Sequence, residues 1–189
     1  RYTFNATTGI ATTEDDQPTS IDALGVSSAE AKSLRDIDGD GAIGAKLGST
    51  TDSIGGLYKV SVAGQDIYAT GAGLDKAKTL DISKNAMLNE DGSFWVPDNE
   101  NARLRAVSKI NADKTVTWDI YATDLQSNEV TRYSFDKDRK LISGDDGTKV
   151  MTAQQLASAE KLNKRDLDGN SVFGVNITGA VDSKTGLFQ

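Results

Sequence analysis

The stretch Arg35-Asp36-Ile37-Asp38-Gly39-Asp40-Gly41-Ala42-Ile43-Gly44 occurs twice in this chain. The second copy, 130 positions later, is Arg165-Asp166-Leu167-Asp168-Gly169-Asn170-Ser171-Val172-Phe173-Gly174. We call residues 36–44 the first acidic loop and residues 166–174 the second acidic loop. Each alternates acidic or amide side chains with turn-forming residues, a pattern typical of loops that hold a hard cation through oxygen atoms.

The repetition extends beyond the loops at the same offset. Ser28-Ala29-Glu30 recurs as Ser158-Ala159-Glu160, and Gly56-Leu57-Tyr58 as Gly186-Leu187-Phe188; after one residue of slippage, Arg1-Tyr2-Thr3-Phe4 matches Arg132-Tyr133-Ser134-Phe135. A period near 130 residues is domain-sized and too long for short-period solenoids. We therefore expect a piece of a tandem array, with the end of one repeat, one whole repeat and the beginning of a third.

The composition excludes several kinds of site. The chain has no Cys and no His, which excludes Ser-His-Asp and Cys-His catalysis, thiolate zinc sites and His-ligated metals. Oxygen ligands remain, and these suit Ca²⁺, Mg²⁺ or Mn²⁺. The net charge of −7 argues against nucleic acid and anionic membrane surfaces as partners. No apolar run approaches the ~20 residues of a membrane span, so we expect no membrane insertion.

Periodicity predicts an α+β fold. Helical patterns cover 20–35 and 152–165, each running into an acidic loop. Alternating strands between 57 and 135, with a tight hairpin turn at Ala63-Gly64, predict an antiparallel meander with one buried face. We divide the chain into 1–56, with the end of one repeat, a helix and the first loop; 57–142, the β region; and 143–189, with the second helix and loop.

Sequence signals also suggest where each helix begins and which side faces inward. Ser27 with Glu30 forms a possible capping box in the first helix, and Thr152 with Gln155 forms a clearer one in the second. The predicted inward residues of the first helix are Leu24, Ala31 and Leu34.

The acidic loops match the start of an EF-hand loop, with oxygen ligands at positions 1, 3 and 5 and a backbone carbonyl at position 7. The predicted ligands of the first loop are Asp36, Asp38, Asp40 and the carbonyl of Ala42. Those of the second are Asp166, Asp168, Asn170 and the carbonyl of Val172. Position 12, normally an acid, is Leu47 in one copy and Ile177 in the other.

Something outside the loops must complete the coordination shell, because Ca²⁺ takes 6–8 oxygen ligands. Water is one candidate. Asp52 and Asp182, each 16 residues after the first Asp of its loop, are the others. The alternative is that these two residues cap turns.

The copies are expected to bind unequally. Asn170 replaces Asp40 and removes one negative charge. Ser171 replaces Gly41 where a positive φ is usual, at a cost on the order of 1 kcal/mol. We therefore expect weaker binding at the second loop.

Three aromatic residues have two interpretations. Trp95, Trp118 and Tyr121 could form a platform for sugar rings, or belong to the core. Alternation favours the core for Trp118 and places Tyr121 on the opposite face, as a candidate surface contact. Arg35 and Arg165, which precede the loops, are expected to pair with a carboxylate of the site or to cap the helix C-terminus.

The arrangement resembles the tryptophan-rich repeat domain of large secreted bacterial proteins. The matching residues are Asp36 to Gly44, Asp166 to Gly174, Trp95-Val96-Pro97 and Trp118. The resemblance implies a type-I-secreted, calcium-loaded protein of the extracellular space or bacterial cell surface, often an adhesin.

We therefore expect a non-enzymatic, calcium-binding structural or adhesive module, with Ca²⁺ stiffening the junctions between helix and strand. The expected partners are neighbouring repeats of the same chain and a surface glycan or another surface protein. The alternative function is a carbohydrate-binding module with structural calcium; a calcium-dependent polysaccharide enzyme is disfavoured because no catalytic pair is patterned.

Overall fold

The protein has a mixed α+β fold with antiparallel sheets. The structure, a computed structural model, describes residues 21–71, 82–144 and 147–174. Within those ranges the order of elements is α1 (Ala23–Ser33), β1 (Lys46–Asp52), β2 (Leu57–Val62), β3 (Gln65–Thr70), β4 (Arg103–Ile110), β5 (Val116–Thr123), β6 (Val130–Phe135), β7 (Thr148–Val150) and α2 (Ala153–Asn163).

The strands form two sheets in the described part of the chain. One has the order β1-β2-β3 and the other the order β4-β5-β6-β7, and all neighbours are antiparallel. The expected single meander is interrupted after β3, because residues 82–102 form isolated bridges, such as Ala69 with Ala86, rather than a connecting strand. Strand pairing also crosses both predicted segment boundaries, since β1 pairs with β2 and β7 with β6.

Side-chain caps begin both helices. Asp22 is the N-cap of α1, and its Oδ1 accepts a hydrogen bond from the amide of Gly25 at 2.8 Å. The predicted Ser27–Glu30 box is therefore wrong, because α1 begins before it and both residues are buried within the helix. The predicted Thr152–Gln155 capping box of α2 is confirmed.

The two helices end alike. The C-cap residues Leu34 and Lys164 both adopt the left-handed conformation, with φ of 54° and 50°. This turn leaves Leu34 66% exposed, so its predicted inward orientation is wrong. The face that α1 buries carries Ala23, Val26 and the polar Ser27 and Glu30.

The main apolar core is shared by the two sheets. The three-stranded sheet contributes Leu57 and Tyr68, and the four-stranded sheet contributes residues such as Ile120. Trp95, only 1% exposed, lies between them, with its ring 5.5 Å from that of Tyr68 and 5.3 Å from that of Phe135 in edge-on contacts. Burying one large aromatic ring among others stabilises the packing of sheet on sheet.

Both faces of the four-stranded sheet are covered. Tyr121 and Val130 form a second apolar cluster with Leu167, against which Leu156 of α2 packs. The sheet thus holds the three-stranded sheet on one side and α2 with the second acidic loop on the other. Neither of the two helices in the described ranges is long and apolar enough to cross a membrane.

Candidate metal centre

A buried glutamate holds the first acidic loop in place. Glu30, on the inner face of α1, is fully buried. Its Oε1 accepts hydrogen bonds from the amides of Ile37 (2.7 Å) and Asp38 (3.1 Å), and its Oε2 accepts one from the amide of Gly44 (2.8 Å). One carboxylate therefore ties the beginning and the end of the loop to the helix.

Backbone amides orient the first carboxylate of the loop. Asp36 accepts hydrogen bonds from Gly39 at 2.6 Å through Oδ1 and from Gly41 at 2.9 Å through Oδ2. Both glycines have positive φ, 80° and 87°, where residues with a Cβ are strained. The two glycines allow the chain to curl around Asp36.

The other two acids are held in the same way. Asp38 accepts from the amide of Asp40 at 3.0 Å through Oδ1 and from the amide of Ala63, in the β2–β3 turn, at 2.7 Å through Oδ2. Asp40 accepts from the amide of Ala42 at 2.8 Å through Oδ1. The loop is thus attached to the three-stranded sheet as well as to α1.

One oxygen of the first loop has no donor. Oδ2 of Asp40 is buried and has no hydrogen-bond partner among the described residues. A buried carboxylate oxygen without a partner is costly, because it has lost its water and gained no donor. A cation would offset that cost.

The second acidic loop repeats this geometry. Glu160, 1% exposed, accepts from the amides of Leu167 at 2.9 Å and Gly174 at 2.8 Å, as Glu30 does from their counterparts. Ser171 has φ of 69°, so the left-handed conformation expected at this position is confirmed. The same turn therefore forms without glycine, at a conformational cost that the first loop avoids.

The acids of the second loop shift one another's ionisation. The pKa of Asp168 is raised, chiefly by burial and further by the nearby carboxyls of Asp166 and Glu160. Burial also acts to raise the pKa of Asp166, but hydrogen bonds from the amides of Ser171 and Gly169 outweigh it and leave that pKa lowered. Crowded carboxylates resist full ionisation until a cation neutralises them.

Two acidic clusters emerge from this arrangement in the described ranges. They consist of Glu30, Asp36 and Asp38 in the first copy, and of Glu160, Asp166 and Asp168 in the second. In each cluster one carboxylate oxygen of each residue lies within 4.8 Å of those of the other two. The residues fit a hard divalent cation, since every side chain offers oxygen alone.

The glutamates were missed at the sequence level. The available signal was the repeated triplet that ends in Glu30 and Glu160. Asp36, Asp38, Asp166 and Asp168 lie in these clusters, whereas Asp40 does not. The metal-binding role of these residues, and of the carbonyls of Ala42 and Val172, stays a prediction.

Asp52 is paired with groups outside the first loop. Its carboxylate is buried and pairs with Arg165 through Oδ1, while Oδ2 accepts a hydrogen bond from the amide of Ala106 at 2.8 Å. Both oxygens are therefore engaged elsewhere, and Glu30 is the acid that the fold brings to the loop from outside it. Asp182 lies outside the described residues.

Arginines attach the second loop to the sheets. Arg103 of β4 donates to the carbonyls of Asp168 (3.0 Å) and Gly169 (3.1 Å). Arg165 donates to the carbonyl of Ala106 as well as to Asp52. Arg165 therefore pairs with a carboxylate, but with that of Asp52 in β1 rather than with one of the second loop.

The three aromatic residues singled out above are all buried. Trp95 is 1%, Trp118 9% and Tyr121 2% exposed. The expectation of Tyr121 as a surface contact is wrong, because Leu167 and α2 cover that face of the sheet. The core interpretation of Trp118 is confirmed; the guanidinium of Arg139 lies 5.8 Å from its ring centroid.

Comparison with protein-family models, with curated proteins and with solved structures gives no match for this chain.

Proposed function

We propose that the protein is a calcium-binding structural module of a secreted or cell-surface bacterial repeat protein, in which Ca²⁺ fastens helix, loop and sheet together. The observation that carries this proposal is the buried Oδ2 of Asp40, which has no donor among the described residues. It lies in a loop whose Asp36 and Asp38 carboxylates are already oriented by amides. Preorganised oxygens cost a cation little reorganisation on binding.

Calcium is the cation that this ligand set favours. Ca²⁺ accepts 6–8 oxygens in flexible geometry, including water and backbone carbonyls, whereas Mg²⁺ demands a near-ideal octahedron and gives up water reluctantly. Each loop resembles half of an EF-hand. In place of the acid at position 12, each brings up a buried glutamate from the preceding helix, Glu30 or Glu160.

The ion acts as a fastener in this proposal. The first loop joins α1 to the β2–β3 turn through Asp38 and Ala63, and the second joins α2 to β4 through Arg103. Without a cation, repulsion among the acids loosens these junctions. Binding stabilises the fold by RT ln(1 + [L]/Kd), about 2.7 kcal/mol at 100 times Kd.

The tandem-repeat context is supported by the repeated residues and by matching hydrogen bonds at both loops. The setting outside the cell and the adhesive role rest on the resemblance to the tryptophan-rich repeat domain. The non-enzymatic character rests on the lack of a patterned catalytic pair in the sequence. The carbohydrate-binding alternative loses its support, because the aromatic residues on which it depends are buried.

Calorimetric melting tests the proposal. Protein stripped with a chelator should melt well below protein in millimolar calcium, and magnesium at the same concentration should restore little of the difference. A variant with Asp36→Asn and Asp38→Asn should lose part of the calcium-dependent rise. A melting temperature that does not respond to calcium would reject the proposed function.

A further inference from the structure

An apolar groove runs along α1 beside the first acidic loop. Its volume is about 850 Å³, and its apolar lining includes Ile21, Val26, Ala29 and Ile37. Ile37 is 53% exposed. A large aliphatic side chain left this exposed beside an apolar groove indicates a surface that another element covers.

The equivalent residues of the second copy show what covers such a groove. At the offset of 130, the four lining residues correspond to Met151, Leu156, Ala159 and Leu167. All four pack against the four-stranded sheet, in the cluster that contains Val107, Tyr121 and Val130. Leu167 is fully buried there, whereas its counterpart Ile37 is not.

The opposite faces of the two helices show the reverse relationship. Ala23 and Ser27 of α1 are buried towards the three-stranded sheet. Their counterparts on α2, Ala153 and Ala157, line an open groove with Phe173, which is 65% exposed. Ile21 and Val26 also pack on the core of the three-stranded sheet, so the unfilled face of the first unit is carried by Ala29 and Ile37. Each helix–loop unit therefore has two packing faces, and each copy has a different one filled.

The backbone of the first loop also leaves room for a missing partner. An atom added at the Cβ position of Gly169 would clash with the guanidinium of Arg103, because that arginine crosses the second loop. At the equivalent Gly39, no atom of the described residues lies within 4 Å. Among those residues, the space that Arg103 occupies against the second loop is open at the first.

We infer that the groove on α1 receives the four-stranded sheet of a second copy of this repeat, placed immediately upstream in the same chain. Each helix–loop unit then packs between two repeats: one of its faces contacts the four-stranded sheet of the repeat before it, and the other contacts the three-stranded sheet of the repeat after it. The order of the sequence agrees, since Arg1-Tyr2-Thr3-Phe4, upstream of α1, repeats the end of β6. This inference rests on the tandem-array part of the proposed function, but not on calcium.

The inference is tested with an extended chain. In this chain, residues 1–150 are followed directly by residues 21–189. This register continues the repeat, because residue 150 is equivalent to residue 20. The reporter is Ile37→Cys in the downstream copy, compared with Ile37→Cys in the original chain; the protein has no other cysteine. In calcium, alkylation of the thiol should be roughly tenfold or more slower in the extended chain, since the buried thiol reacts only after local opening.

Two further reporters calibrate the experiment. Leu34→Cys lies at a position 66% exposed whose counterpart Lys164 is also exposed, so it should react equally fast in both chains. Leu167→Cys, at a fully buried position, sets the slow limit and reports that the extended chain is folded. Arg103→Ala in the upstream copy should restore part of the reactivity of Ile37→Cys.

The outcomes separate this inference from the calcium proposal. Equal reactivity of Ile37→Cys in both chains, with Leu167→Cys slow, would overturn the docking even if calcium raises the melting temperature. Slow alkylation of Ile37→Cys in the extended chain supports the docking, even if calcium does not change the melting temperature.

Discussion

Asp52, the last residue of β1, forms an ion pair with Arg165, the residue immediately before the second acidic loop, across 113 positions of sequence. Their side chains are 3% and 14% exposed. Asp52 also accepts from the amide of Ala106, and Arg165 donates to the carbonyl of the same residue. The pair therefore ties the three-stranded sheet, β4 and the second loop together.

Breaking this pair should be costly. Asp52→Ala leaves the guanidinium of Arg165 and the amide of Ala106 without their acceptor, and we expect a loss of about 3–5 kcal/mol in the free energy of unfolding, measured in urea. The control is Asp66→Ala, which removes the exposed pair with Lys59 and should cost about 0–1 kcal/mol. Equal losses in the two variants would show that the buried pair has no special role.

Glu30→Gln should loosen the first loop. The glutamine side chain has one acceptor oxygen where glutamate has two. Its NH₂ group must therefore face backbone N–H groups that Glu30 accepts from, either that of Gly44 or those of Ile37 and Asp38, which lose their acceptor. We expect a loss of about 2 kcal/mol in stability and weaker calcium binding. Glu90→Gln, at an exposed position, is the matched control. A Glu30→Gln protein as stable as this control would contradict the role of Glu30.

Exchanging residues between the loops should exchange their affinities. Asn170→Asp with Ser171→Gly gives the second loop the ligand charge and turn residue of the first, and should raise its calcium affinity on the order of tenfold, because ligand charge count tunes affinity. Asp40→Asn should lower the calcium affinity of the first loop. Calorimetric titration measures both, with Asp66→Asn as a control for a lost surface charge. Affinities that stay unchanged would remove the proposed basis for unequal sites.

We expect the protein to lose stability in alkali because two of its tyrosines, Tyr121 and Tyr133, are buried. Burial, reinforced by Asp119 for Tyr121 and by the hydrogen bond to Asp98 for Tyr133, raises each pKa to about 12 from 10.0. The folded state keeps its protons where the unfolded state releases them, so this stability is present below pH 10 and is lost as the pH rises from about 10 to about 12.

Urea unfolding measured between pH 10 and about pH 12 tests for this loss of stability. The Tyr133→Phe variant, with one such group fewer, should lose less stability over the same interval than the parent protein. Absorbance titration of the folded protein that shows all tyrosines ionising near pH 10 would be inconsistent with this account.

Local sequence signals predicted much of the fold. The Ala63-Gly64 turn between two alternating runs fixed the β2–β3 hairpin, because both residues adopt the positive φ that such turns need. The Thr152–Gln155 box likewise marked the start of α2. Turns and caps are formed by residues close together in the chain, so they can be predicted from short stretches of sequence.

Features that depend on distant contacts were not predictable in this way. Alternation along β5 suggested one buried face, but α2 and Leu167 cover the other and bury Tyr121. Asp52 carried no sign of a partner 113 residues away. The buried glutamates Glu30 and Glu160 lie on the helices before the loops, outside the positions that supply ligands in an EF-hand, so the loop pattern gave no sign of them.

The central claim is that the two acidic loops bind calcium. Isothermal titration of chelator-stripped protein with calcium tests it most directly, with the Asp36→Asn and Asp38→Asn double variant alongside. The account predicts two binding events of unequal affinity, the tighter of which disappears in the double variant while the weaker remains. Absence of any saturable calcium binding to the folded protein, or identical binding by the double variant, would contradict it.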